Sequence, residues 1–209
     1  MQNRLCLVFG SICEHGLDTA ISYAGENPFV ICADGGLDYA KKAGFEPDVC
    51  IGDMDSVTGG QSAAKQIVLP RRKDLTDMEA ALELAVSHGF ERVIVTCAIG
   101  GRADHYFANV FMLEYLHNSG VRACIHDGGT KIYYINSGSL KIENAFLYKY
   151  VSVIPIDPVI KGVTLEGLGY PLDNATLHRY AALGVSNEPD ADIAVVHVKS
   201  GAALIMLTE

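Results

Sequence analysis

The first half of the chain alternates short apolar runs with segments whose apolar residues recur at helical spacing. The apolar runs predict buried strands at Leu5–Phe9, Phe29–Ala33, Val49–Ile51 and Val93–Cys97. The segments with helical spacing predict helices at Leu17–Ala24, Leu37–Ala43, Asp77–His88 and Tyr106–Leu116. Strands and helices in alternation are typical of a parallel sheet with helices on its faces.

The helix predicted at Asp77–His88 has the clearest pattern. Its apolar residues fall on one helical face: Met78, Ala81, Leu82, Ala85 and Val86. Thr76 and Glu79 form a capping-box signature at its start, and Gly89 is placed to end it. Both ends of this helix can therefore be predicted from local sequence.

The second half has a different pattern, which begins after Asp127–Thr130. Six strand-like runs follow, at Lys131–Ile135, Leu140–Glu143, Leu147–Pro155, Val163–Leu165, Ile193–Lys199 and Ala203–Leu207. Turn residues separate these runs, which favours a sandwich or a barrel. We therefore predict an α/β protein, with a parallel-sheet domain at residues 1–127 and a β-sandwich-like domain at residues 128–209.

Composition and charge narrow the functional classes. The chain has 209 residues, of which 49% are hydrophobic and 20% are charged, as in an ordinary globular protein. Its formal net charge of −9 argues against non-specific binding to nucleic acid. No apolar run approaches the length of a membrane span, so we expect no association with a membrane.

The cysteines and the N-terminus indicate a cellular compartment. The six cysteines form no CxxC pair, and four of them lie inside apolar runs. We expect reduced thiols that behave as small buried hydrophobes. The chain reaches its first strand by Leu5 without a signal-peptide pattern. These features predict a cytoplasmic protein.

Candidate chemistry is concentrated in four short segments that carry carboxylates. They are "ADGG" at 33–36, "GDMDS" at 52–56, "KDLTD" at 73–77 and "GGRADH" at 100–105. Three of them directly follow apolar runs, and residues past the carboxyl ends of parallel strands line the ligand crevice. Clustered carboxylates repel one another unless a cation or a shared proton offsets the charge. Because no thiol or imidazole accompanies them at soft-metal spacing, we expect Mg²⁺.

The segment "GDMDS" is the most specific of the four. Asp53 and Asp55 are two residues apart, so in an extended backbone they point the same way and can hold Mg²⁺. The alternative is a solvated turn, because Asp, Gly and Ser all favour turns.

The segment "ADGG" joins a predicted strand to a predicted helix. Asp34 ends the strand, and Gly35 with Gly36 allows backbone N–H groups to approach a phosphate at the helix start. The alternative is that Asp34 simply caps the helix.

The segment "KDLTD" lies at the start of the helix predicted at Asp77–His88. Asp74, Thr76 and Asp77 all suit helix capping and the helix dipole. The preceding Arg71–Lys73 adds three cations, a combination that suits carboxylates holding metal and bases holding phosphate oxygens. A surface charge cluster explains these residues equally well.

The segment "GGRADH" combines a free backbone with several polar side chains. Two glycines precede Arg102, which can bind phosphate through two hydrogen bonds. Asp104 and His105 lead into the next helix, and Asn109 lies one turn further on the same face. A single histidine at a helix start is more often structural, whereas the preceding Gly-Gly-Arg favours function.

Several familiar signatures are absent from the sequence. There is no GxGxxG after the first strand, no GxxxxGK[ST] and no GxSxG. A metal-dependent phosphate chemistry without a covalent intermediate is the remaining prediction.

Taken together, the motifs resemble the thiamine pyrophosphokinase family. The order "ADGG", "PDVCIGDMDS", "KDLTDMEAAL", "GGRADHYFAN" is similar to that family's run of motifs in spacing as well as in sequence. The likeness continues with "VSVIPI" at Val151–Ile156, "VTLEGLGYPL" at Val163–Leu172 and "GVSNEP" at Gly184–Pro189. It therefore covers nearly the whole chain.

The resemblance implies a fold, a reaction and an assembly. The first domain would bind ATP and Mg²⁺, and the β-sandwich-like second domain would bind thiamine and form a homodimer with shared active sites. The reaction would convert ATP and thiamine to AMP and thiamine diphosphate.

The resemblance also assigns roles to individual residues. Mg²⁺, and through it the triphosphate, would be held by Asp34, Asp53, Asp55 and Asp77. Lys73 and Arg102 would neutralise phosphate oxygens beside the backbone of Gly35 and Gly36. The residues near the meeting point of nucleotide and acceptor would be Asp104, His105 and Asn109, with Asp104 or His105 assisting proton removal. Ser186 and Asn187 would help to bind thiamine, reaching across the dimer.

Two positions depart from the family pattern, and two other functions compete. Met54 stands where an aromatic residue is usual, and Gly169 where a larger basic or aromatic residue is common. One competing function is a phosphatase or phosphotransferase with Asp53 as nucleophile, as in haloacid-dehalogenase-like enzymes. That motif normally follows the first strand, whereas Asp53 follows the third predicted strand. The other is a non-catalytic thiamine or nucleotide sensor.

Overall fold

The chain forms two compact units, Met1–Gly128 and Gly129–Glu209. The structure is a computed structural model and describes residues 4–52, 65–68 and 74–209. The described residues of the first unit form six strands: β1 Leu5–Phe9, β2 Phe29–Ala33, β3 Val49–Gly52, β4 Lys65–Val68, β5 Arg92–Thr96 and β6 Arg122–Asp127. All neighbouring pairs run parallel, in the order β4-β3-β2-β1-β5-β6. The parallel sheet predicted from the sequence is confirmed.

The strand order of the first unit reverses between β1 and β5. The chain adds β2, β3 and β4 on one side of β1, and then β5 and β6 on the other. In open parallel sheets this arrangement opens a crevice at the carboxyl ends of the two central strands. The fold therefore provides one natural binding position for a ligand.

In the described part of this unit, four α-helices accompany the sheet: α1 Asp18–Ile21, α2 Gly36–Lys42, α3 Asp77–Ser87 and α4 Ala103–Asn118. The predicted capping box of α3 is present, since the Thr76 hydroxyl accepts from the Glu79 N–H and the Glu79 side chain accepts from the Thr76 N–H. Helix α4 begins three residues before the predicted start at Tyr106, because its polar first turn hides the helical period. Of the helices described, none is both long and apolar enough to cross a membrane.

The core of the first unit lies between the sheet and its helices. Strand β1 is buried along its whole length, as expected for a central parallel strand covered on both faces. The helices contribute Leu37, Ala40, Met78, Ala81, Leu82, Ala85, Val110, Leu113 and Leu116 to this core. All six cysteines are free and five are buried, which confirms the expectation of unpaired thiols.

The second unit is built from antiparallel strands. They are β7 Thr130–Asn136, β8 Ser139–Glu143, β9 Tyr150–Pro155, β10 Val159–Glu166, β11 Leu172–His178, β12 Ile193–Ser200 and β13 Ala202–Thr208. One group has the order β7-β13-β9 and the other has the order β11-β10-β12-β8. Buried residues of both groups meet in one apolar cluster, among them Val153 and Ile205 from the first group and Val163 and Val196 from the second. The sandwich-like arrangement expected for this half is therefore present, with β11 as an addition to the prediction.

Candidate active site

A cleft of about 210 Å³ lies at the carboxyl ends of β1, β2 and β5, where the strand order reverses. Its lining comes from the ends of these strands and from the starts of α3 and α4: Gly10, Ser11, Ile12, Ala33, Asp34, Thr76, Asp77, Met78, Cys97, Arg102, His105 and Asn109. Five residues proposed from the sequence as site residues are thus brought together: Asp34, Asp77, Arg102, His105 and Asn109. This convergence is the position that the sheet topology favours for a ligand.

Asp34 turns the chain at the end of β2. Its φ is +47°, in the left-handed region, and its N–H donates to the Ile51 carbonyl at 2.7 Å. The capping residue of α2 is Gly35, which makes no side-chain cap, so the alternative that Asp34 caps this helix is wrong. The Oδ1 of Asp34 is buried and has no hydrogen-bond partner among the residues described. A polar atom in this state is the type of group that a bound cation satisfies.

Gly36 allows α2 to start directly against the end of β1. A Cβ at this position would lie 2.3 Å from the Phe9 carbonyl oxygen, which is too close for any other residue. The glycine pair was predicted to bring backbone N–H groups close to a phosphate. The contact present here is a close approach between helix and strand, and it fixes Asp34 at the edge of the cleft.

Asp77 enters the cleft from the first turn of α3. The capping box at Thr76 and Glu79 fixes this turn, and Asp77 is half-buried beside Thr76. Asp34 and Asp77 therefore present hard oxygen ligands to the same cleft, which is the chemistry that Mg²⁺ prefers.

The remaining residues of the predicted metal and phosphate site lie outside the described residues. They are Asp53, Asp55 and Lys73, together with the atypical Met54. Within the described ranges, no group of three histidines, cysteines or carboxylates could hold a metal ion. Asp34 and Asp77 fit part of a magnesium site.

Arg102 is held at the start of α4 by an ion pair. Its Nε donates to Asp104 Oδ1 at 3.1 Å, and its Nη2 donates to Asp104 Oδ2 at 2.6 Å. The hydrogen bond to Asp104 raises the pKa of Arg102, and the same pair holds the pKa of Asp104 below its ordinary value. Arg102 lines the cleft as a permanent cation, whereas the carboxylate of Asp104 is engaged beside it.

His105 and Asn109 occupy successive turns of α4. His105 is exposed and lines the cleft. Asn109 also lines the cleft, and its Nδ2 donates to the Ala98 carbonyl at 3.1 Å. Asn109 therefore connects the helix to the loop that follows β5, a role that its helical spacing did not predict.

The segment that follows β1 was missing from the predicted site. The Gly10 N–H donates to the Thr96 carbonyl at 2.8 Å and the Ile12 N–H to the Cys97 carbonyl at 3.0 Å. These bonds continue the β1–β5 pairing beyond the strands and place residues 10–12 on the wall of the cleft. The one sequence signal for this segment was a glycine directly after the first strand.

A second pocket, of about 350 Å³, lies in the second unit. Apolar side chains and a short polar segment form its wall: Leu165, Tyr170, Leu172, Ala182, Leu183, Gly184, Val185, Ser186 and Asn187. Both sequence-predicted thiamine residues, Ser186 and Asn187, are thus at one pocket. A mostly apolar cavity with a few polar groups is the usual form of a small-molecule site.

Asn187 acts on the backbone of this pocket. It is 4% exposed, and its Oδ1 accepts from the N–H groups of Tyr170 at 2.9 Å and Glu188 at 3.0 Å. Its Nδ2 donates to the Tyr170 carbonyl at 2.7 Å. The side-chain amide is therefore largely used to shape the wall of the pocket. Ser186 is exposed, has a φ of +56°, and lines the same pocket.

These two units define a class of protein. Open parallel sheets take up nucleotides and similar ligands at the switch of strand order, and carboxylates beside an arginine suit the transfer of phosphoryl groups. The chain has the architecture of a transferase that handles phosphate in one unit and a small organic molecule in the other.

Comparison with known proteins identifies the family. Residues 21–125 match the thiamin pyrophosphokinase catalytic domain, and residues 139–205 match the thiamin pyrophosphokinase vitamin B1 binding domain. The thiamine pyrophosphokinase of Bacillus subtilis is 30% identical over 172 residues, which cover 79% of this chain and 80% of that protein. The chain belongs to the thiamine pyrophosphokinase family, a family of transferases.

Solved structures agree with this assignment. The crystal structure of the Bacillus subtilis thiamine pyrophosphokinase superposes with a TM-score of 0.89 at 25% identity, over 98% of both chains. The thiamin pyrophosphokinase of Geobacillus thermodenitrificans superposes with a TM-score of 0.86 at 27% identity, over 98% of this chain and 97% of that chain. The similarity therefore extends over the whole of both units.

Proposed function

We propose that the protein transfers the pyrophosphoryl group of ATP to the hydroxyl of thiamine and releases AMP and thiamine diphosphate. The observation that carries this proposal is the cleft at the strand-order switch, where Asp34, Asp77 and Arg102 converge. The match of both family domains in their usual order supports it further.

The triphosphate is assigned to the cleft of the first unit. Arg102 binds phosphate oxygens through its planar guanidinium. Its hydrogen bonds to Asp104 are replaced by hydrogen bonds to the phosphate when the substrate binds. Asp34 and Asp77 would hold Mg²⁺, and the family resemblance adds Asp53 and Asp55 as further metal ligands and Lys73 as a second positive side chain beside Arg102. Bound Mg²⁺ supplies charge neutralisation of the phosphate oxygens.

The reacting groups need positioning more than covalent help. The thiamine hydroxyl attacks the β-phosphorus in line with the bond to the leaving AMP, and such transfers depend mainly on alignment and charge stabilisation. His105 is the better placed of the two proposed proton acceptors, because its imidazole lines the cleft. The carboxylate of Asp104 is already paired with Arg102.

Thiamine is assigned to the pocket of the second unit. The aromatic ring of Tyr170 and the side chains of Leu165, Leu172 and Val185 offer apolar contacts, and Ser186 offers a hydroxyl. We propose a homodimer in which this pocket serves the active site of the partner, as the family resemblance implies. The cytoplasmic location expected from the sequence stays a prediction.

The deciding experiment is product analysis after incubation with ATP, Mg²⁺ and thiamine. AMP and thiamine diphosphate in equal amounts are expected, and ADP or free phosphate as the exclusive product would contradict the proposal. An aspartyl-phosphate trapped on Asp53 would instead favour the phosphotransferase alternative, although Asp53 follows the third strand of the sheet, β3.

Carboxylate variants test the metal assignment within the same assay. Asp34→Asn, Asp53→Asn and Asp55→Asn are each expected to abolish turnover and Mg²⁺ dependence while the thermal unfolding midpoint stays at or above the wild-type value. The matched control is Asp48→Asn, since Asp48 directly precedes β3, at the amino ends of the strands and away from the cleft, where its Oδ2 accepts from the Val30 N–H. Wild-type turnover in the three site variants would show that the metal assignment is wrong.

A further inference from the structure

A buried carboxylate at the end of β6 holds the loop that leads into α4. Asp127 is 1% exposed, and its Oδ2 accepts hydrogen bonds from the N–H groups of Ala98 at 2.8 Å and Ile99 at 2.9 Å. The ladder between β5 and β6 ends at Val95 and Ile125. The carboxylate thus takes the place of a strand partner for two N–H groups, and a buried N–H group without an acceptor is destabilising.

The loop between β5 and α4 follows an unusual backbone path. Three of its residues have positive φ: Cys97 at +53°, Gly100 at +112° and Gly101 at +61°. The two glycines adopt such angles readily, whereas Cys97 keeps a positive φ only because surrounding contacts determine it. The Gly101 N–H donates to Glu14 Oε1 at 2.9 Å, and Asn109 Nδ2 donates to the Ala98 carbonyl at 3.1 Å. The loop is therefore held by β6, by the segment after β1 and by α4.

The burial of Asp127 has an energetic cost that its hydrogen bonds do not fully offset. Its Oδ1 is also buried and has no hydrogen-bond partner within the described part of the chain. Burial raises the pKa of Asp127, while the N–H groups of Ile99 and Ala98 and the charge of His15 lower it by less. A neutral asparagine would offer the same acceptor at a smaller desolvation cost.

We propose that Asp127 is a positioning residue, which fixes the 97–101 loop and thereby sets where α4 begins and how Arg102 and His105 face the cleft. Asp127 itself does not line the cleft and acts through the loop. The proposal rests on the proposed function for the roles of Arg102 and His105, whereas the loop itself rests on the hydrogen bonds described above. A displacement of about 1 Å at such groups costs roughly 100-fold in rate.

Four variants separate positioning from general stability. Asp127→Ala removes the acceptor, and Asp127→Asn keeps an oxygen that can accept from the same N–H groups. Glu14→Ala weakens the other end of the loop from an exposed side chain, so it leaves folding intact. The matched control is Asp48→Ala, which also removes a carboxylate that accepts from a backbone N–H. Asp48 lies at the amino ends of the strands, away from the loop at 97–101.

Three measurements are made on each variant of the full chain: amide hydrogen exchange across residues 97–102, the affinity for ATP with Mg²⁺, and kcat. For Asp127→Ala we expect faster exchange in this segment and a fall in kcat of roughly 10- to 100-fold. Asp127→Asn should restore most of the protection from exchange and most of kcat. Glu14→Ala should show faster exchange and a lower kcat, as Asp127→Ala does, but to a smaller degree. Asp48→Ala should match the wild type in all three measurements.

Two results would overturn the proposal. One is wild-type kcat and exchange in Asp127→Ala. The other is an Asp127→Asn variant that folds but is as impaired as Asp127→Ala, which would assign the effect to charge and not to the acceptor.

If Asp127→Ala does not fold, Asp127→Asn and Glu14→Ala still test the proposal. An impaired Asp127→Asn variant, together with wild-type exchange and wild-type kcat in Glu14→Ala, would then contradict it. If the wild type makes no thiamine diphosphate, the proposed function is wrong. The role of Asp127 is then still tested by amide hydrogen exchange and by the affinity for ATP.

Discussion

Arg102 and Asp104 form an ion pair through two hydrogen bonds beside the cleft of the first unit, with the shorter one at 2.6 Å. Their side chains are 73% and 64% exposed, so solvent screens the pair and its contribution to stability is small. The pair holds the guanidinium at the first turn of α4. A phosphate group that binds Arg102 must compete with this carboxylate.

Substitution of Asp104 and substitution of Arg102 should therefore change the KM for ATP in opposite directions. Asp104→Asn is expected to lower it a few-fold, since the competing carboxylate is lost, and Arg102→Ala to raise it about tenfold or more. Initial rates at low and high salt provide the measurement, because both effects should shrink as salt screens the charges. Arg92→Ala is the control, since Arg92 forms a similar exposed pair with Glu26 away from the cleft. A fall in kcat with unchanged KM in Asp104→Asn would indicate a direct chemical role for Asp104 instead.

The close contact between α2 and β1 gives a second prediction. Gly36→Ala places a Cβ about 2.3 Å from the Phe9 carbonyl oxygen, so the helix must shift, and we expect the free energy of unfolding to fall by about 1–3 kcal/mol. Urea unfolding measures this change. Gly25→Ala is the matched control, because a Cβ there meets no atom within 4 Å and its φ lies outside the left-handed region. Equal stability of the two variants would show that the helix start has room to move.

The raised pKa of Asp127 gives a prediction for the pH dependence of stability. The folded state binds this proton more tightly than the unfolded state, so the contribution of Asp127 is most favourable below the ordinary carboxyl pKa. It is lost as pH rises through the raised value. The group that faces Asp127 from the loop after β1 is His15, whose charge lowers the pKa by less than burial raises it.

Asp127→Asn should remove this pH-dependent term. We expect the free energy of unfolding of the variant to rise relative to that of the wild type as pH increases from the ordinary aspartate pKa, and the difference to become constant above the raised pKa of Asp127. Urea unfolding from about pH 3 to about pH 8 compares the two proteins. Parallel curves throughout this range would mean that burial does not raise the pKa of Asp127.

The cysteines provide a prediction that needs no substrate. Cys13 is half-exposed and the other five are buried, with burial raising the pKa of the Cys6 and Cys97 thiols. A thiol reagent such as an aromatic disulfide should therefore modify one thiol in the native protein and all six in denaturant. Cys13→Ser should abolish the native reaction. Rapid modification of a second thiol would show that one of the strands opens easily.

The fold was predictable where burial on both faces leaves a continuous apolar run. This applies to β1 and β2, whose boundaries match the prediction. Strand β4, with the sequence KQIV, is largely exposed, and β6 mixes Arg122, His126 and Asp127 with apolar residues. Both strands lack the apolar continuity that marks a central strand, and their existence follows from pairing with neighbours.

The candidate site shows the same division. Asp34, Asp77 and Arg102 could be assigned because each directly follows a strand or starts a helix with a clear local signal. The contribution of Asp127 could not, because its hydrogen bonds join residues 28 and 29 positions apart in the chain. Asn109 was expected at the site from its helical spacing, but only the folded chain shows that its amide reaches the loop. Local sequence thus indicates which residues line the cleft better than it indicates the residues that hold them in place.

Asn187 fixes the backbone at the rim of the second pocket, so the path of the chain there does not depend on the side chains at positions 169 and 170. Its amide binds both the N–H and the carbonyl of Tyr170, and the neighbouring Gly169 is bound to the Glu188 carbonyl at 2.8 Å. A Cβ at Gly169 would meet its nearest atom at an ordinary 3.5 Å. Side chains at 169 and 170 can therefore change without altering the path of the chain. The chemistry of this rim is therefore open to evolution, and to redesign, by single substitutions that leave folding untouched.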